Sequence, residues 1–64
     1  MSMFSEIVAE HEAEQLVLIL RAAAQDPKTR EFAKVWLVPL YQDLLDATWG
    51  SARIPEDVKR TYGL

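Results

Sequence analysis

Apolar residues recur at intervals of three and four along most of the chain, the spacing of helices that each bury one stripe. Phe4, Ile7, Val8, His11, Gln15, Leu18, Ile19 and Ala22 share one face; Ala33, Trp36, Leu37, Leu40, Leu44 and Ala47 share another. Polar and special residues punctuate the pattern. Ser2 or Ser5 offers the first helix an N-cap, and Asp26-Pro27 supplies an N-cap and a proline suited to the first turn of the second. Pro55-Glu56-Asp57 opens a third helix with acids at the positive end of its dipole, and Gly50 and Gly63 can take left-handed closures. These signals predict helices near 3–24, 27–49 and 55–62 within one helical domain, 1–64. The turn at Gln25-Asp26 is too short for anything but an antiparallel hairpin, so the two stripes are expected to meet as its core.

Pro39 lies inside the second stripe. It has no N–H for the carbonyl of Val35 and costs ~3 kcal/mol in a helix interior. The stripe runs through it in register, so the expectation is a continuous helix kinked near Pro39, with a break there as the alternative.

Each helix also carries a second apolar stripe: Ala9, Ala13, Leu16, Leu20 and Ala23 on the first, Val38, Tyr41, Leu45 and Trp49 on the second. A hairpin buries one stripe per helix, and hiding each large side chain of the other is worth ~1.5–3 kcal/mol. The short third helix, with Ile54, Val58, Tyr62 and Leu64, can cover part of it. The remainder predicts a homodimer, two hairpins making a four-helix bundle, with Leu16, Leu20, Tyr41, Leu45 and Trp49 as the self-association residues.

Composition narrows the chemistry. The 64 residues include no cysteine and one histidine, which removes disulfides and thiolate metal sites. Met1 to Glu14 carries four glutamates and no lysine or arginine, the wrong charge for a secretory leader, and no apolar run spans a bilayer, so a cytoplasmic location without membrane contact is expected. Ser2, Ser5 and Ser51 lack a glycine-flanked elbow, and two glycines leave no phosphate-cradling loop. Neither catalysis nor a cofactor is expected.

His11 and Glu14 sit one helical turn apart, and a symmetric dimer would double them into a four-ligand site; this is the alternative reading, a metal or small-ligand protein. A hydrogen bond from His11 to Asp43 at the core edge is the simpler account of that histidine. Lys28, Arg30 and Lys34, and again Arg53, Lys59 and Arg60, are diluted by neighbouring acids, and the net charge is −3, which disfavours nucleic acid. In length and helix layout alone, the chain resembles the small plasmid-encoded RNA-binding bundles of the Rop type, which makes an RNA- or DNA-binding helical dimer a third reading. The composition best fits a small non-catalytic interaction protein, a regulator or inhibitor acting on a larger protein partner, with Glu6, Glu10 and Glu14 as the candidate partner surface.

Overall fold

The structure is a computed structural model that describes the backbone of residues 3–64 and the side chains of residues 7–64. The fold is all-helical, with no strand among the described residues. α1 spans Met3–Ala23; α2 (Pro27–Phe32), a π-helical turn (Ala33–Leu37) and α3 (Val38–Ala47) follow one another without interruption; α4 spans Glu56–Tyr62. The longest dimension is 38 Å. A helix of the length of α1 is already ~32 Å long, so the two long arms lie side by side. Their shared core is Ala13, Leu16, Val17 and Leu20 from α1, Ala33, Val38 and Tyr41 from the second arm, and Val58 and Tyr62 from α4.

The turn between the arms is held by its own side chains. Asp26 is extended and its carboxylate accepts the Lys28 N–H at 2.8 Å. The Thr29 hydroxyl donates to the Ala23 carbonyl at 2.6 Å, and the Arg30 guanidinium donates to that of Ala24 at 3.2 Å. Carbonyls left open where α1 ends are thus closed by the first turn of α2.

Helical dihedrals continue through Pro39, with Leu37 at φ −90, ψ −34 and Val38 at φ −61, ψ −45. The chain accommodates the missing N–H by widening the preceding turn: the Val38 N–H donates to the Ala33 carbonyl, five residues back instead of four. One extra residue enters that turn, and every later position moves one place round the helix.

This shift overturns part of the expected core of the second arm: Ala33 is buried and Leu37 and Leu44 pack against the core as expected, but Trp36 and Leu40 do not. Trp36 and Leu40 lose their inward places, Val38, Tyr41 and Thr48 are buried instead, and Leu45 joins Leu37 and Leu44 partly buried against the core. Trp36 is 65% exposed and Leu40 49%, whereas Tyr41 is 1% exposed. On α1 the faces exchange too: Ile7, Leu18 and Ile19 point outward, while Ala9, Ala13, Leu16 and Leu20 are buried. The reason there is polarity. The rejected face would have buried His11 and Gln15, and an unpaired buried polar group costs ~1–3 kcal/mol; the chosen face is apolar throughout and its alanines admit close approach.

After α3 the chain reverses through two left-handed residues, Trp49 (φ 56) and Gly50 (φ 86). A bulky residue in that conformation carries ~1–2 kcal/mol of strain, and its presence beside Gly50 ends α3 at Ala47, short of the expected 49. Thr48, buried at the bend, donates its hydroxyl to the Leu45 carbonyl at 2.6 Å. α4 then folds back onto the arms. Val58 and Tyr62 are buried, the Tyr62 hydroxyl donates to the Leu20 carbonyl, and Gly63 (φ 69) closes the helix with the Leu64 N–H on the Lys59 carbonyl at 2.9 Å.

The exchanged faces make a direct comparison of neighbours. In dilute solution Leu20→Ala should cost about 2–5 kcal/mol, most of the ~3–5 kcal/mol that a core of this size supplies. Ile19→Ala should stay within about 0.5 kcal/mol. Thermal denaturation followed by circular dichroism reads both; equal losses would restore the first assignment.

Candidate functional site

Turning the arms inward on their other faces leaves large apolar side chains on the outside. On the second arm, Phe32, Trp36 and Leu40 follow one another at four-residue spacing, one from α2, one from the π turn and one from α3, each about half exposed or more. The Phe32 and Trp36 rings lie 6.4 Å apart between centroids at 38°, a tilted aromatic pair open to solvent. Val35 stands beside them, and α1 contributes Ile7, Val8, Leu18 and Ile19. Trp49, lifted by its left-handed backbone, is 71% exposed.

Within the chain Leu16, Leu20 and Tyr41 are buried in the core and Leu45 is packed against it, while Trp49 of the same group is exposed. Of the stripes expected to close the hairpin, Ile7, Val8, Leu18, Ile19, Trp36 and Leu40 are left outside, whereas Ala33, Leu37 and Leu44 remain at the core. The signal was present in the sequence: one α1 stripe held His11 and Gln15 and the other held no polar residue. On the second arm the cue was Pro39 itself, read as a kink and not as a change of register.

The remaining candidates are scattered. Glu10 is half-buried, Glu14 and His11 are exposed, and the side chain of Glu6 lies outside the described residues, as does that of Phe4. No group of three or more His, Cys, Asp or Glu side chains among the described residues is placed to hold a metal ion. No described helix is long and apolar enough to cross a membrane.

Charge is organised at one point, where α4 meets α1. Arg21 Nε lies 2.8 Å from Asp57 Oδ2 and its Nη2 lies 2.9 Å from Oδ1, a bidentate pair on an exposed edge. Hydrogen bonding to Arg21 holds the Asp57 carboxyl below its usual value of 3.8, with some opposition from burial. Beneath this pair, burial pushes the Tyr41 phenol above its ordinary value, and the Arg21 charge partly offsets that rise. Comparison of the chain with protein-family models, curated proteins and solved structures finds no match.

The Asp57 shift predicts a pH dependence of α4 docking. The native state holds this proton less tightly than the unfolded chain, so its contribution is present above pH ~3.8 and disappears as pH falls through the lowered value. In urea denaturation the stability gap between the native sequence and Asp57→Asn should be constant near neutrality and close below pH ~3.8. A gap that persists to pH 2 would show that the ion pair is not its source.

Proposed function

We propose that the protein is a non-catalytic helical interaction module, an antiparallel hairpin that pairs with a second copy into a four-helix bundle and acts on a larger protein as a regulator or inhibitor. The observation that carries this reading is the open stripe Phe32–Trp36–Leu40, with Val35 beside it. Aromatic and large aliphatic side chains of this kind anchor interfaces when desolvated. The accessible surface supports it: 4620 Å², against about 4,200 Å² for a compact monomer of 7.3 kDa.

Self-association in this account uses the outward stripe of the second arm and not Leu16, Leu20, Tyr41 and Leu45. The acidic face of α1, Glu10 and Glu14 together with Glu6, is the surface offered to the larger partner. The absence of cysteine fits a reducing, cytoplasmic setting.

Light scattering coupled to gel filtration tests the assembly. The protein should run at twice its chain mass of 7.3 kDa, and Trp36→Glu should halve that mass while leaving the helical circular dichroism intact. A monomer at millimolar concentration, or a dimer indifferent to Trp36→Glu, would contradict the proposal.

A further inference from the structure

A groove of about 340 Å³ opens where α1, α3 and the segment entering α4 converge. That volume is at the lower end of the range for small-molecule sites, which are mostly apolar with a few placed polar groups. Here Val17, Leu18 and Pro55 supply apolar wall, and Glu14, Arg21 and Arg53 supply charge. Tyr41 completes the lining.

The two core tyrosines differ in a telling way. Tyr62 uses its hydroxyl on the Leu20 carbonyl. Tyr41 is 1% exposed, yet its hydroxyl has no hydrogen-bond partner among the described residues, and it is not sealed off from solvent either. The groove it lines is its outlet. Arg21 spends Nε and one N–H of Nη2 on Asp57, which leaves its other N–H groups free, and Arg53 makes no ion pair among the described residues. A hydroxyl donor and two guanidinium groups therefore border one apolar recess.

We propose that this groove binds a small amphipathic monoanion, a carboxylate or sulfonate on an aromatic or short aliphatic body. The Tyr41 hydroxyl donates to the anionic head, Arg53 and the free N–H groups of Arg21 hold its charge, and the body lies against Val17, Leu18 and Pro55. Glu14 on the same lining opposes further negative charge, which selects a monoanion over a dianion such as phosphate.

The probes are 8-anilinonaphthalene-1-sulfonate and its uncharged counterpart N-phenyl-1-naphthylamine, titrated by fluorescence. The sulfonate should bind one to one. Tyr41→Phe and Arg53→Gln should each weaken it about fivefold, the measure of one exposed hydrogen bond or ion pair, and Glu14→Gln should tighten it. The uncharged dye should ignore Arg53→Gln and Glu14→Gln. Trp36→Glu, which removes the other apolar surface a dye could favour, should leave these differences unchanged. Arg53 and Glu14 are exposed, so their variants test the site even if Tyr41→Phe perturbs the core. Sulfonate affinity indifferent to Arg53→Gln and Glu14→Gln would place the dye on the outward stripe and overturn the proposal, as would an uncharged dye that responds equally.

Discussion

A single absent proton donor governs this fold. Pro39 offers no N–H to the helix, and the second arm absorbs the loss by widening the turn before it, so that Val38 bonds to Ala33. The dihedrals remain helical and the arm stays whole, but everything beyond the turn is rotated by one residue. Tyr41 comes to lie in the core where Leu40 would have been, and Trp36 is left at the surface. Both the composition of the interior and the character of the exterior follow from that rotation.

The first arm imposes a complementary constraint. Its outward stripe has the greater hydrophobic bulk, with Ile7, Val8, Leu18 and Ile19 against Leu16, Leu20 and three alanines, but it also carries the polar residues. His11 and Gln15 tip the outward stripe into water, while Ala9 and Ala13 bring the inward one close to the second arm and Leu16 and Leu20 fill the space behind. α4 then locks the arrangement from outside. Tyr62 reaches the Leu20 carbonyl and Asp57 grips Arg21, so two successive residues of α1 are held by one short helix.

Much of this architecture was legible from residue order. Asp26-Pro27 marks the start of the second arm because a carboxylate cap and a preset φ act locally, and Gly63 marks the end of α4 because a left-handed closure does too. The apolar content of Ile54, Val58, Tyr62 and Leu64 announced a segment that folds back. Which faces meet was not legible by the same means. Periodicity counts positions on an ideal helix and has no term for a turn that holds an extra residue, so the stripe through Leu40 and Leu44 read as continuous. The strained conformation at Trp49 was hidden for a similar reason, since Gly50 alone satisfies the usual rule for a helix end. The Arg21–Asp57 pair joins residues far apart in sequence and only the fold brings them together.

The outward stripe and the groove beside Tyr41 both bear the mark of that rotation: it left Trp36 and Leu40 at the surface and set Tyr41 against the groove. The claim beneath both is the identity of one hydrogen bond. Scalar coupling across hydrogen bonds in a ¹⁵N,¹³C-labelled sample reports which carbonyl each amide engages. The Val38 amide nitrogen should correlate with the carbonyl carbon of Ala33; a correlation with that of Lys34 would mean a regular α-helix, an unshifted register and a different core.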